Sequence, residues 1–401
     1  MTPKFLRTAV ILGLLTAIGP FAIDMYLPAL PSIGDDLGAS NGAVQMSLMV
    51  FFLAMGAGQI VLGPISDMFG RKAPLYAGLA LFVAGGIGSA LAPTIEWLIA
   101  FRFFQGLGAS AGMVIPRAVV RDLHTGTEAA RLMSLLMLVF SVSPILAPLG
   151  GSVIIEMFSW RAVFWAVTVA ALLAVVMLAT SLEETRPAQS RLESSMGSAI
   201  AGYRFLLGDR NFLGLTFIGA FGLSSFFVYL ASSSFILIDH YGLSPSLYSV
   251  AFSVNAVAFI GMSQLTGMLT EKFGLRRVVR VAVSGYVVVM LALFALFAGG
   301  LDRLDVMAAL LFIGYGFLGL VIPTTAVLAM EDHGEIAGTA SALMGTLQFL
   351  TGAAAMVAVS LFFDGTAMPM VAGIAACAVI AFLIAQATLA RSPQAAAAPA
   401  E

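Results

Sequence analysis

About twelve times along this chain the sequence runs for roughly 20 residues almost without a charge, the length an α-helix needs to cross a bilayer. The runs fall at roughly 5–27, 43–62, 74–93, 96–119, 130–155, 161–181, 212–237, 246–269, 278–298, 305–329, 337–361 and 369–390. In hydrocarbon every backbone polar group must be bonded within its own segment, so runs of this kind become helices. The expected fold class is therefore all-α integral membrane, with twelve transmembrane helices. Composition agrees: 60% of the residues are hydrophobic and 10% charged, where soluble domains carry about 25% charge. A water-soluble enzyme is excluded. So is a nucleic-acid binder, since charge is scarce and the net value is only −2. The single Cys377 allows no internal disulfide or cysteine-based metal site, and His124, His240 and His333 are far apart. No metal or other cofactor is expected.

The connections are mostly short. The exception is the polar stretch 183–210, which includes Glu183, Glu184, Arg186, Arg191, Glu193, Arg204, Asp209 and Arg210. It is expected to link two six-helix bundles, 1–182 and 211–390, and to hold an amphipathic helix near 196–207. The Ala/Pro-rich end, 391–401, is expected to be a disordered cytoplasmic tail. The first run contains Asp24 and ends in Pro28 and Pro31, not in a small-residue cleavage site, so it reads as a retained span. With the N-terminus placed in the cytoplasm, Lys4, Arg7, Arg71, Lys72, Arg121, Arg131, the linker arginines, Lys272, Arg276, Arg277, Arg280 and Arg391 all fall inside. Arg161 and Arg303 fall outside. The positive-inside rule then puts both termini in the cytoplasm.

The chain also repeats itself. Gly63-Pro-Ile-Ser-Asp67-Met-Phe69-Gly70-Arg71-Lys72 is answered 204 positions later by Gly267-Met-Leu-Thr-Glu271-Lys-Phe273-Gly274-Leu275-Arg276. Gly112-Met-Val-Ile-Pro116 is answered by Gly319-Leu-Val-Ile-Pro323. The first match lies in a polar loop, where a bias toward Leu and Ala cannot create it. Six spans per unit give the halves the same orientation, so they are parallel repeats about an axis along the membrane normal. Such an arrangement places a site near the midplane between the halves.

These motifs resemble those of the major facilitator superfamily. Gly63-x3-Asp67-x2-Gly70-Arg71-Lys72 looks like its signature loop between spans 2 and 3, and Arg102-x2-Gln105-Gly106-x-Gly108 is similar to the span-4 motif of proton-coupled members. Ile23-Asp24-Met25-Tyr26-Leu27-Pro28-Ala29-Leu30-Pro31 looks like the span-1 signature of the bicyclomycin and chloramphenicol resistance (Bcr/CflA) branch of drug:proton antiporters. Gly338-Thr339-Ala340-Ser341 in span 11 resembles that branch too. The resemblance implies the major facilitator fold and efflux of small drugs or metabolites in exchange for protons. It also implies a functional monomer in a bacterial inner membrane. One motif departs: the span-5 antiporter pattern, Gly-x3-Gly-Pro-x2-Gly-Gly, falls on Ser143, Ala147, Pro148, Gly151 and Ser152, with Gly150 one place early.

Ionisable groups inside a bilayer are costly and so are functional candidates. Three qualify: Asp24, Arg102 and Arg117. Asp24 and Arg102 are expected at similar depths, compatible with a pair or a shared cavity. A carboxyl there is pulled between desolvation, which favours its neutral form, and a neighbouring cation, which favours its charged one. Asp24 is thus the candidate proton carrier and Arg102 the group that tunes it. The competing readings are a structural ion pair between spans 1 and 4, or an Asp24 wetted from outside. Arg117 reads either as a snorkelling cation or as a substrate or gate contact. Asp67, Arg71, Lys72 and Glu271 read as a conformational gate, with Asp67 placed to cap a helix of the other half. Tyr26, Gln45, Gln105, Ser225, Tyr229, Asn255, Tyr315 and Gln348, with Arg117, are the candidate substrate contacts, although a lone polar residue in a span is more often a helix–helix hydrogen bond. No phosphate-binding Gly-x4-Gly-Lys-Ser/Thr loop is present, so the energy must come from an ion gradient or from the substrate's own gradient. No ligand set argues for sodium, so protons are the default, with a small molecule as the other partner. A proton symporter importing a small metabolite is the alternative within transport. A membrane enzyme would need a convergent catalytic cluster, which is missing.

Overall fold

In the computed structural model the chain is described over residues 3–390 except 125 and 194. The expected tail, 391–401, lies outside the described residues. Twelve helices among the described residues are long and apolar enough to cross a membrane. Spans 1–6 are Phe5–Leu37, Asn41–Phe69, Lys72–Ala90, Ile95–Leu123, Arg131–Met157 and Trp160–Ser181. Spans 7–12 are Arg210–His240, Pro245–Gln264, Leu275–Ala298, Leu304–Met330, Ala337–Ser360 and Met368–Leu389. No strand occurs among the described residues. Chain ends 3 and 390 share one face of the bundle, called here the terminal face; the other is the opposite face.

Two spans differ in outline from the sequence expectation. Span 1 runs ten residues further, to Leu37, but is not one helix. Pro28 has no N–H to offer the Asp24 carbonyl, and its ring clashes there. The helix Pro3–Asp24 therefore ends at Asp24, a short 3-10 turn spans Leu27–Ala29, and a second helix, Leu30–Leu37, follows. Span 8 stops at Gln264, and a separate helix, Thr266–Phe273, carries the chain to the second repeat loop. Span 2, its counterpart, runs unbroken to Phe69.

The repeat is written into the backbone. Gly70 has φ +89° and Gly274 φ +79°, a region that side chains rarely adopt. Each glycine thus turns the chain from an even span into the next. Gly112 and Gly319 serve a second shared purpose. A Cβ on Gly112 would sit 2.4 Å from the Leu15 carbonyl oxygen of span 1, and one on Gly319 would sit 2.1 Å from that of Phe259 in span 8. Lipid tails are as apolar as leucine, so spans associate through close backbone approach and hydrogen bonds more than through burial. Gly106, against the Phe51 carbonyl, and Gly108, against that of Gly78, work likewise. Gly150 does not: its nearest neighbour is the Met25 methyl at 3.9 Å, an ordinary contact.

The halves meet along two seams. Span 2 packs on span 11, where Thr346 Oγ1 donates to the Gly56 carbonyl (2.9 Å), and Phe52 packs on Phe227 of span 7 and Phe349 of span 11 (4.4 and 5.6 Å), which also stack on each other (5.4 Å). Span 5 packs on span 8, where Ser249 and Ser253 donate to the carbonyls of Pro148 and Ile145 (both 2.9 Å). The outward faces of the spans are apolar; on span 6, Trp165, Val169, Leu172, Leu173 and Val176 form one exposed stripe. The stretch between the halves holds helices Ala188–Glu193 and Met196–Gly208. The second buries Tyr203 and Leu206 and exposes Ile200, Phe205 and Leu207. Tyr203 donates to the Ile60 carbonyl of span 2 (2.9 Å), and Gly202 lies against Thr339 of span 11.

Candidate functional site

The break in span 1 organises the buried charges. Asp24 is the last residue of the first helical segment and is 4% exposed. Its Oδ2 accepts a hydrogen bond from Ser143 Oγ of span 5 (3.1 Å). Span 5 gets this close because Gly151 has no side chain: a Cβ there would lie 2.2 Å from the Met25 carbonyl oxygen. At the helix end the Tyr26 amide turns to the Ile23 carbonyl (3.2 Å), leaving the Ala22 carbonyl without its usual partner. Arg102, wholly buried in span 4, takes it: Nη1 donates to Ala22 O (3.2 Å) and to Gln105 Oε1 (2.8 Å). Its guanidinium lies over the rings of Phe51 (4.1 Å) and Tyr26 (4.7 Å).

A direct Asp24–Arg102 pair is therefore not formed. Arg102 is instead a cation at the C-terminal end of a helix, where the dipole favours it, with aromatic faces in place of a carboxylate. Asp24 sits at that same end, where an anion is disfavoured. Its proposed wetting from the opposite face is also absent, since it is buried. Arg102 Nε and Nη2 and Gln105 Nε2 have no hydrogen-bond partner. Tyr26 turns its hydroxyl to Ser47 of span 2 (2.7 Å). Gln45 is buried in span 2 with Nε2 unpartnered.

In the second half the structure brings three of the sequence candidates together. Asn255 Nδ2 of span 8 donates to the Tyr229 hydroxyl of span 7 (3.0 Å). The Tyr229 ring stacks on Phe252 (5.7 Å) and tilts against Tyr315 of span 10 (5.6 Å). The Tyr315 hydroxyl has no partner. Phe226 closes the cluster edge-on to Tyr315 (5.6 Å). Ser225 does not join it: its hydroxyl donates to the Gly222 carbonyl (2.6 Å) and accepts from Tyr286 of span 9, so it ties two helices together. Gln348 is half-buried in span 11, and Arg117 half-buried in span 4 with Nε unpartnered.

At the terminal face lies a cavity of about 530 Å³. Spans 2, 4 and 11 and the linker helix wall it, and its polar lining includes Asp67, Arg71, Arg121, Asp122, Tyr203 and Thr339. None of the candidate substrate contacts lines it. At the opposite face the halves are in contact, with Ser246 of span 8 donating to Glu156 of span 5 (2.6 Å).

With the cavity open at the terminal face, the first repeat loop is clasped by its own half and the linker, and the cap on the other half, expected when that face is closed, is not made. Arg71 bonds Asp122 of span 4 through Nε (2.7 Å) and Nη2 (3.1 Å), and through Nη1 it reaches Asp67 (2.7 Å) and Ser66 (2.8 Å). Asp67 faces the cavity, which Gly338 near the start of span 11 also lines. Glu184 of the linker accepts from the Arg71 amide (2.8 Å) and the Lys72 amide (3.1 Å), at the N-terminus of span 3. Burial pushes the Glu184 carboxyl up, but these amides and those of its own turn, with Arg191, hold it below its usual range. Tyr203 is raised to about 12 by burial and by nearby Asp67. Lys72 lies over the Tyr76 ring (5.9 Å). Glu271, the repeat partner of Asp67, is exposed. Sequence reasoning missed Asp122 and Glu184, because both lie outside the repeat loop and no spacing rule joins them to it.

With this geometry in hand, comparison with known proteins is direct. The Major Facilitator Superfamily model matches residues 12–356, and the chain belongs to that family of transporters. A Bacillus subtilis (strain 168) protein named Uncharacterized MFS-type transporter YdgK is 37% identical, over 91% of this chain and 91% of its own. The Bicyclomycin resistance protein homolog of Haemophilus influenzae is 30% identical over 93% of each, in keeping with the span-1 resemblance. Among solved structures, a bacterial homologue of the human lysosomal transporter Spinster, inward-facing and occupied, superposes with a TM-score of 0.75 over 100% of both chains at 14% identity. At that identity it bears on the fold alone.

Proposed function

We propose that this transporter is a proton-coupled antiporter that exports small drugs, phenicol- or bicyclomycin-like, or related metabolites, by alternating access. The observation that carries the reading is Asp24: a buried carboxyl at the break of span 1, held by span 5, the helix that also meets the second half. A carboxyl in that position can trade a proton for substrate as the halves rock. The name of the Haemophilus relative supports an antibiotic as cargo. The terminal face is assigned to the cytoplasm of a bacterial inner membrane, on the distribution of Lys and Arg. Its cavity is then the loading vestibule, in a state closed on the other side. Tyr229, Asn255 and Tyr315 form the core of the substrate surface, with the spare hydroxyl of Tyr315 free for a ligand. Arg102 holds the end of span 1 in place, and the Arg71–Asp122 clasp, with Asp67, is the inner gate.

The test is a susceptibility panel (phenicols, bicyclomycin, tetracyclines, quinolones and lipophilic cations) in a host stripped of its own pumps. Resistance to one class that vanishes in Asp24→Asn at equal expression is the expected result. Resistance that survives in that variant removes Asp24 from coupling. No resistance to any compound removes drug export.

A further inference from the structure

We propose that Ser143 is the positioning residue of the Asp24 carboxyl, and that this hydroxyl, rather than Arg102, governs the pH at which Asp24 exchanges its proton. The inference rests on the assignment of Asp24 as the proton carrier and names what holds that proton.

Geometry carries it. Ser143 is completely buried and donates to Asp24 Oδ2 at 3.1 Å. A hydroxyl is both donor and acceptor, so it can donate to the carboxylate and turn to accept from the protonated acid. Arg102, the other candidate, is committed to the Ala22 carbonyl and to Gln105. Ser143 is also the only departure in the span-5 pattern that reaches another span: Ser152 bonds the Leu149 carbonyl of its own helix (2.9 Å), and Ala147 has nothing to donate. Glycine at 143 would leave the carboxylate without this donor.

The donor's address matters as much as its distance. Two residues beyond Ser143, the Ile145 carbonyl accepts from Ser253 of span 8, and one turn further the Pro148 carbonyl accepts from Ser249. The hydroxyl that holds Asp24 therefore rides on the helix that meets the second half. Where movement at that seam bends span 5 within its own half, the donor moves relative to the carboxyl, and proton affinity is then linked to the position of the halves. The other titratable groups around Asp24 are few. Tyr26 comes from its own segment, bonded to Ser47, and Arg102 from span 4. Tyr248 of span 8 interacts with Asp24 electrostatically, with Tyr229 of span 7 behind it. Spans 5 and 6 carry their charges only near their ends, at Glu128, Arg131, Glu156 and Arg161.

The experiment uses the full-length protein in proteoliposomes, with the drug identified by the panel as substrate and proton release on drug addition read against pH. The variants are Ser143→Ala, Ser143→Gly, Ser143→Thr and Asp24→Asn. Loss of a hydrogen bond to a charged acceptor displaces the midpoint of the profile by about one to two pH units, toward alkaline. We expect that displacement in the alanine and glycine variants with the maximal rate retained, and the parent midpoint in the threonine variant. Parent midpoints in alanine and glycine, with Asp24→Asn inactive, overturn the role of Ser143 and leave Asp24 standing. Loss of transport at every pH that threonine does not rescue marks a purely structural serine and also overturns it. Full proton release by Asp24→Asn overturns the assignment beneath both.

Discussion

The first half of this transporter buries charge, and the second half buries aromatic rings. Spans 1–6 enclose Asp24 and Arg102, each held by a group from a neighbouring span. Spans 7–12 enclose Tyr229, Asn255, Tyr315, Phe226 and Phe252, held by one neutral hydrogen bond and by ring packing. The same contrast recurs at the terminal face. The first repeat loop is fastened by Arg71, Asp122 and Glu184, whereas its counterpart leaves Glu271 exposed. The second half fastens its end differently, with His333 bonded to Asp209 (3.0 Å), the residue that caps span 7. Two copies of one backbone plan have thus diverged in what they hold. Ion chemistry is concentrated on one side of the pseudo-axis, and an adaptable apolar surface on the other.

If the shared part is architecture, breaking it should be equally damaging in both halves. Gly112→Leu and Gly319→Leu each drive a side chain into a backbone carbonyl that has no room to move aside. Overpacking costs about 1–3 kcal/mol even where neighbours yield, and more against backbone. Both variants are expected to fail to accumulate in the membrane, measured by fluorescence-detected size exclusion. Normal accumulation of one alone would show that only one half depends on its glycine.

The divergent part predicts unequal effects. Arg102→Ala removes a buried cation, reopens the Ala22 carbonyl and empties a space between three rings. Transport should fall at least about tenfold at matched expression, the loss of one hydrogen bond to a charged group being worth roughly 1.5–3 kcal/mol. Arg102→Lys should not restore it, because an ammonium cannot match the planar fork or its stacking. Tyr315→Phe, a neutral change in the second half, should leave coupling intact. Drug transport and drug-driven proton movement, measured together across the three variants, decide it, and a Tyr315→Phe that still moves drug but no longer moves protons would extend the coupling machinery beyond the first half.

The fold was legible because its determinants are one-dimensional. Run length gave the spans, and the Gly70–Gly274 and Gly112–Gly319 matches gave the repeat, each glycine being required by a local conformation or a close approach. The break in span 1 could be expected from Pro28, yet its consequence could not. An end created at Asp24 frees a carbonyl two residues earlier, and which side chain takes it is a matter of packing between spans 1 and 4. So the two buried charges were found, and their partners were not. In the sequence Tyr229, Asn255 and Tyr315 are each a separate polar residue in an apolar helix, and the structure gathers them. Ser225 carried the same signal and went to a helix–helix bond, because nothing in a single span tells which face meets which neighbour.

The terminal face offers the smallest and sharpest contrast. Glu184 receives two amides from the start of span 3, one on each carboxylate oxygen, and its side chain is 28% exposed, so its replacement by Gln keeps the shape, removes the charge and turns one acceptor into a donor. A partly solvated, charge-assisted contact of this kind is worth about 1 kcal/mol. Its carboxyl lies below its ordinary range, so the contribution is present above the unfolded-state value and is lost as pH falls through the depressed one. Glu184→Gln should therefore lower the melting temperature by a few degrees at neutral pH, and the gap between variant and parent should close in acid. Glu271→Gln, at an exposed site, should change neither. A gap that persists in acid would place the effect in packing instead of charge, and an effect of Glu271→Gln equal to that of Glu184→Gln would mean that the two loops are fastened alike after all.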